Sequence, residues 1–101
     1  MRVLIVDDHP LFRAGLKALL YELDSDIETA EAATLREVDD LHNQGKIFDL
    51  VLLDMKLPDG EGLDVLRRVK EMFDVAIVAI MSATEDPHLI RSAIDAGACG
   101  Y

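Results

Sequence analysis

The sequence predicts a doubly wound α/β domain with a parallel sheet. Short runs of Val, Ile and Leu are continuous rather than alternating, which is typical of strands buried on both faces. Segments with the apolar spacing of amphipathic helices lie between these runs. A regular alternation of strand and helix favours a parallel sheet with right-handed crossovers. The chain has 101 residues, of which 50% are apolar, so we expect one domain with a packed core.

The predicted strands are marked by four apolar runs and by the start of a fifth. They are residues 3–6, the weaker run "IETAEA" at 27–32, residues 48–53, residues 75–81, and "ACGY" at 98–101. Each run is short enough to be a strand, and Cys99 is expected to be a small buried residue of the last one.

Four helices are expected between these strands. The first carries the apolar stripe Phe12, Leu16, Leu19, Leu20 and Leu23, and the third carries Val65, Leu66, Val69, Met72 and Phe73. We expect both stripes to lie on the sheet. Helix ends are marked by Pro10 in a first turn, by the capping box "TLRE" at 34–37, by the N-cap pair Asp86 and Pro87, and by stops at Gly45 and Gly97.

Composition excludes several classes of function. Twenty acidic and ten basic side chains give a net charge of −10, which would repel a nucleic-acid backbone. The longest apolar runs, 50–53 and 75–81, are far shorter than the roughly 20 residues of a membrane span, and no signal peptide is evident. Because a lone cysteine, Cys99, cannot form an internal disulfide, we expect a cytoplasmic protein.

Polar side chains follow three of the predicted strands. Asp7 and Asp8 come after the first, Asp54 after the third, and Ser82 after the fourth. Parallel strands end at one edge of the sheet, and ligands bind where the winding order reverses. If the first and third strands are neighbours there, Asp7, Asp8 and Asp54 share one pocket. Three carboxylates together would repel one another unless they gathered a hard divalent cation, and Mg²⁺ is the expected one.

Phosphoryl transfer is the chemistry that this combination favours. Mg²⁺ held by aspartates positions phosphoryl groups, and a carboxylate can itself be the acceptor. Asp54 is the best-placed acceptor, since it ends the run "DLVLLD" and precedes the loop "MKLPDGEG", whose carbonyls could approach a metal. Ser82 would donate its hydroxyl to a phosphoryl oxygen.

The motifs resemble those of receiver domains of two-component response regulators. The segments are "VLIVDDHPLFRAGL", "DLVLLDMKLPDGEGLDVL", "VAIVAIMSA" and "AIDAGACGY", and the likeness covers the whole sequence. The segment "DDHPLFRAGL" is most similar to the NarL/FixJ group, whose receivers precede a LuxR-type DNA-binding domain. The resemblance implies a CheY-like, flavodoxin-like sheet of five strands in the order 2-1-3-4-5.

The resemblance also implies roles for individual residues. Asp54 would be the phosphoacceptor, and Asp8 and Asp54 would bind Mg²⁺ directly. Asp7 would bind through water, and the backbone carbonyl of Lys56 would be a further ligand. Ser82 takes the Ser/Thr switch position and Tyr101 the aromatic switch position.

A sensor histidine kinase is the implied phosphodonor, together with small phosphodonors. The domain would catalyse only its own phosphorylation and slow dephosphorylation, so it is expected to be a signalling domain rather than an enzyme. DNA would be bound through a separate output domain, and a homodimer is expected.

The end of the sequence departs from the family pattern. The family pattern places a catalytic lysine three residues after Tyr101 and a fifth helix beyond it. The printed sequence ends at Tyr101, before both. We therefore expect residues 1–101 to be the N-terminal part of a longer regulator. If this chain folds by itself, an extended or swapped dimer is expected.

Other interpretations of the same residues remain open. Adjacent aspartates can be a helix cap, Ser82 an exposed loop hydroxyl, and Tyr101 a half-buried strand aromatic. The alternative function is a phosphorylation-independent interaction module that works by dimerisation. Two enzyme classes are disfavoured: an aspartate-based phosphohydrolase has a second aspartate where Lys56 stands, and a P-loop motif is absent. The three histidines, His9, His42 and His88, are expected to be surface or capping residues.

Overall fold

The described part of the chain forms a four-stranded parallel sheet with helices on both faces. The computed structural model describes residues 1–54 and 56–80. The elements are β1 (Arg2–Val6), α1 (Pro10–Leu23), β2 (Glu28–Ala32), α2 (Leu35–Asn43), β3 (Leu50–Leu53), β4 (Lys56–Leu57), β5 (Gly60–Glu61), α3 (Leu63–Met72) and β6 (Ile77–Ile80). The sheet order is β2-β1-β3-β6, with every pair parallel. Winding therefore reverses between β1 and β3.

The predicted doubly wound parallel sheet is confirmed. The observed order β2-β1-β3-β6 matches the first four positions of the predicted order 2-1-3-4-5, because β6 is the fourth strand of the main sheet along the chain. A short antiparallel hairpin, β4–β5, was not predicted, because strands of two residues carry no periodic pattern. Several predictions fall outside the described residues: the strand at 98–101 with Cys99, the helix after Asp86 and Pro87 with its stop Gly97, His88, Ser82 and Tyr101.

One face of the sheet carries the main hydrophobic core. Alternate strand residues point toward α2 and α3, and the cluster includes Leu4, Val6, Val51, Leu53, Val78 and Ile80 from the strands. The helices contribute the predicted stripe residues Val65, Leu66 and Val69, which are fully buried. This face therefore fixes the positions of β1 and β3, whose ends carry the aspartates.

Helix α1 lies on the opposite face. Glu31 of β2 points away from the main core and forms ion pairs with two residues of α1, Arg13 and Lys17, both at 3.1 Å. The α1 stripe is expected to lie on the sheet, but none of its residues is fully buried in the described part of the chain. Leu16 and Leu20 are only half-buried, and Leu23 is 73% exposed. A helical period shows which side chains share a face but not whether another element covers that face.

The predicted helix ends are confirmed where they are described. Pro10 is the first residue of α1, which suits its missing N–H. Thr34 caps α2 by accepting the Glu37 backbone N–H at 3.1 Å. At the other end, Gly45 has φ +78°, and its N–H and that of Lys46 bind carbonyls of the last turn at 3.0 and 3.1 Å. This is a Schellman motif, for which glycine is the favoured residue.

A long-range contact also caps α2. The carboxylate of Asp59, in the β4–β5 hairpin, accepts the backbone N–H groups of Leu35 at 2.8 Å and Arg36 at 3.0 Å. These are two of the N–H groups that a helix leaves without an internal partner. Partial desolvation raises the pKa of Asp59, but the hydrogen bonds from Leu35 and Arg36 outweigh it and leave the pKa lowered. The hairpin after Asp54 is thus tied to α2.

Asp59→Ala should lower the free energy of unfolding by about 1 kcal/mol at neutral pH, since a helix-capping carboxylate is lost. The folded-state pKa of Asp59 is lowered, so its contribution is complete above the ordinary aspartate pKa and disappears as the pH falls through the folded value. Urea unfolding followed by circular dichroism at pH 7 and pH 3 measures both effects. Asp74→Ala, in the exposed turn after α3, is the control. An equal loss in both variants at pH 7 would contradict the assigned role.

Candidate functional site

The ends of β1 and β3 bring three carboxylates together. Val6 and Leu53 are register partners, so the residues that follow them, Asp7 and Asp54, lie side by side. The Asp54 N–H donates to the Val6 carbonyl at 2.9 Å, which extends the pairing to this point. One ligand atom from each of Asp7, Asp8, His9 and Asp54 lies within 4.8 Å of the others. The site lies at the carboxyl ends of β1 and β3, where the winding order of the sheet reverses and where ligands of such sheets bind.

Asp7 is the structural centre of this cluster. It is only 5% exposed, and its Oδ1 accepts the His9 backbone N–H at 2.7 Å. His9 Nδ1 lies 2.8 Å from the same oxygen. The Arg13 guanidinium donates to the Asp7 carbonyl, which ties the loop after β1 to α1. Asp7 is therefore held in place by both backbone and side-chain contacts.

Asp54 is half-buried at the end of β3. Its Oδ1 accepts the Lys56 backbone N–H at 3.0 Å, so the carboxylate also orders the start of the hairpin. Burial raises the pKa of Asp54, and the charges of Asp7 and Asp8 raise it further, against the opposing effect of the Lys56 N–H. The Asp54 carboxylate is thus held among like charges.

The residues fit a hard divalent cation. Asp8 Oδ1 is buried without a hydrogen-bond partner among the described residues, although His9 Nδ1 lies 3.0 Å away. The closer Asp7 oxygen takes the hydrogen bond from Nδ1, so Asp8 is left with charge attraction alone. An unpartnered carboxylate oxygen beside two other carboxylates is the donor set that Mg²⁺ or Ca²⁺ prefers. A cation here would also offset the repulsion that raises the pKa of Asp54.

The structure brings together the predicted residues Asp7, Asp8 and Asp54. Lys56 lies beside them, and the predicted role of its carbonyl stays a prediction.

His9 is the residue that sequence reasoning underestimated. It was expected to be a surface or capping residue. It is 68% exposed and is the N-cap residue of α1, yet its side chain makes no capping bond and faces the carboxylates. The hydrogen bond to Asp7 raises the pKa of His9, and the charges of Asp8 and Asp7 add to this effect. Its place directly after two aspartates was the available signal. His42 is elsewhere, at the end of α2 against Phe73.

Residues 3–101 match the family described as the response regulator receiver domain. The chain belongs to this family. Its fold is therefore that of a receiver domain of two-component response regulators, and the resemblance noted from the motifs is confirmed.

Known proteins of several bacteria are similar to this chain. The nitrate/nitrite response regulator protein NarP of Escherichia coli K12 is 40% identical in an alignment of 101 positions, which covers 99% of this chain and 46% of NarP. The transcriptional regulatory protein YdfI of Bacillus subtilis 168 is 35% identical in an alignment of 105 positions, gaps included, which covers 99% of this chain and 46% of YdfI. The chain thus spans less than half the length of these relatives.

Solved structures agree with the fold. A LuxR family DNA-binding response regulator from Silicibacter pomeroyi has a TM-score of 0.81 and 36% identity, covering 97% of this chain and 72% of that one. A CheY-like receiver domain protein from Methanospirillum hungatei has a TM-score of 0.86 and 28% identity, covering 99% and 78%.

The helices of the described residues were compared with the length and apolarity of a membrane span. None of them is both long enough and apolar enough to span a bilayer.

Proposed function

We propose that this chain is a phosphorylation switch in which Asp54 accepts a phosphoryl group from a phosphohistidine of a sensor histidine kinase. The observation that carries the proposal is the half-buried Asp54 carboxylate within 4.8 Å of Asp7 and Asp8 at the sheet edge. Family membership supports the same assignment. One Asp54 oxygen forms the new P–O bond while the P–N bond of the donor breaks and its electron pair stays on the imidazole nitrogen.

Mg²⁺ is the proposed cofactor, held by Asp8 and Asp54 directly, by Asp7 through water and by the Lys56 carbonyl. When bound, it would offset the negative charge of the phosphoryl oxygens. The chain itself keeps Asp54 oriented through the Lys56 N–H and keeps the β1 loop in place through Arg13. Repulsion from Asp7 and Asp8 destabilises the ionised form of Asp54, and a bound cation would relieve this repulsion.

The consequences of phosphorylation are proposed from the family. Ser82 would contact the phosphoryl group and Tyr101 would change orientation, which converts a local charge into a different surface. In a regulator that also carries a DNA-binding output domain, this surface would control that domain in the cytoplasm, through a homodimer. The names of similar proteins, NarP and a LuxR family regulator, support such an output. Apart from its own phosphorylation and dephosphorylation, no turnover is proposed.

Full-length protein incubated with Mg²⁺ and phosphoramidate should gain the mass of one phosphoryl group. Asp54→Asn should lose this gain, because the amide cannot form the acyl phosphate, whereas Asp40→Asn on the exposed surface of α2 should keep it. Intact-mass spectrometry of the three proteins measures the result. No gain in the wild type, with dimerisation unaffected by beryllofluoride, would instead support a phosphorylation-independent interaction module.

A further inference from the structure

His9 presents a nitrogen atom to the acidic cluster. Its Nδ1 lies 2.8 Å from Asp7 Oδ1 and 3.0 Å from Asp8 Oδ1. Asp7 Oδ1 also accepts the His9 backbone N–H at 2.7 Å, so this one oxygen contacts both the backbone and the ring of His9. The side chain does not cap α1, so this contact is its main interaction in the described part of the chain.

The spacing of Nδ1 and Asp8 Oδ1 suits two ligands of one ion. Neighbouring ligands of an octahedral ion with bonds of 2.0–2.1 Å are separated by about 3.0 Å. The observed separation is 3.0 Å, and the Asp8 oxygen has no hydrogen-bond partner among the described residues although it is buried. The two atoms are therefore close enough to bind one ion, and the Asp8 oxygen is the one without a hydrogen-bond partner.

We propose that His9 is a direct ligand, through Nδ1, of the divalent cation in this site, which makes the site a mixed nitrogen and oxygen centre. This inference rests on the proposed function, since it requires a cation among Asp7, Asp8 and Asp54. The neutral ring binds with its Nδ1 lone pair, so the hydrogen bond from Nδ1 to Asp7 is exchanged for the metal bond. The His9 backbone N–H still holds Asp7.

A nitrogen ligand changes which ions the site prefers. Carboxylates and carbonyls suit Mg²⁺, whereas imidazole suits later first-row ions, whose affinities increase from Mn²⁺ to Ni²⁺. Loss of an outer-shell partner alone typically weakens metal binding about 10-fold, so loss of a ligand should weaken Ni²⁺ binding at least that much. His9→Ala should therefore weaken Ni²⁺ binding by about 10-fold or more, and Mg²⁺ binding by a smaller factor.

Mn²⁺ bound to the full-length protein tests the contact directly. Electron spin echo envelope modulation should show coupling of Mn²⁺ to an imidazole nitrogen in the wild type. Labelling histidine with ¹⁵N should replace the ¹⁴N pattern, which tests the assignment without any variant. The coupling should disappear in His9→Ala and persist in His42→Asn, whose ring packs against Phe73 instead.

The outcomes separate this inference from the proposed function. Mn²⁺ bound in the wild type and lost in Asp8→Asn, but without nitrogen coupling, would overturn the role of His9 and leave the proposed cation site standing. Coupling that survives in His9→Ala would also overturn it. Absence of any Mn²⁺ binding in the wild type would overturn both.

Discussion

Truncation of Leu66 to alanine should lower the free energy of unfolding by about 3 kcal/mol or more. Leu66 of α3 is 0% exposed and belongs to the core between the helices and the sheet. Removing a buried leucine side chain loses its transfer free energy and leaves a cavity that the surrounding residues fill only in part. A loss of this size is a large fraction of the roughly 5–15 kcal/mol that stabilises a domain.

Leu11→Ala is the matched control for this variant. Leu11 lies in the first turn of α1 and is 89% exposed, so its truncation should change the free energy of unfolding by no more than about 0.5 kcal/mol. Urea unfolding of both variants, with equal slopes, gives the two differences. Similar losses in Leu66→Ala and Leu11→Ala would show that the core lies elsewhere than on the α2 and α3 face.

Mg²⁺ should stabilise the wild type far more than Asp54→Asn. At a concentration 100 times its dissociation constant, a ligand of the folded state alone adds about 2.7 kcal/mol. The variant loses one proposed carboxylate ligand, so most of this gain should be absent at the same concentration. Thermal unfolding with Mg²⁺ and with EDTA measures the difference, and Asp40→Asn should respond as the wild type does. Equal gains in all three proteins would place the cation away from Asp54.

Without metal, the order of stability should be reversed. Burial and the charges of Asp7 and Asp8 raise the pKa of Asp54, so its ionised form destabilises the folded state. This cost is absent below the ordinary aspartate pKa and complete once the pH exceeds the raised folded value. In EDTA at pH 7, Asp54→Asn should therefore be more stable than the wild type. The gain should be about 1 kcal/mol or less, because the side chain is half-exposed and solvent screens it.

Local patterns predicted most of the fold because the helices and the strands of the main sheet each carry their own signal, whereas the two-residue strands β4 and β5 do not. The continuous apolar runs became β1, β3 and β6, and the capping box and Gly45 became the two ends of α2. The α1 stripe shows the limit of such signals. Its period identifies a helix correctly, but the burial of Leu23 depends on which other element covers it.

The sequence predicted which carboxylates form the site, but it did not predict the contact that His9 makes with them. Asp7, Asp8 and Asp54 stand out as acidic residues at strand ends, and family membership supports their proposed roles. His9 is expected from the sequence to be a surface or capping residue, because the histidines have no ligand spacing; it is exposed, but only the structure shows that its ring also contacts the carboxylates. Its orientation comes from the backbone turn that places both its N–H and its Nδ1 against Asp7.

The sequence by itself determined the alternation of strands and helices, the positions of the helix ends, and the presence of carboxylates after two buried strands. The tertiary structure realises the strand order that only the family resemblance had implied, with β1 between β2 and β3, which brings Asp54 beside Asp7 although 47 positions separate them in the printed sequence. It also decided that Asp59 caps α2 and that His9 faces the acidic cluster. The reason is physical: helix periods and caps are interactions within a few residues, whereas strand order and side-chain convergence depend on how the whole core packs.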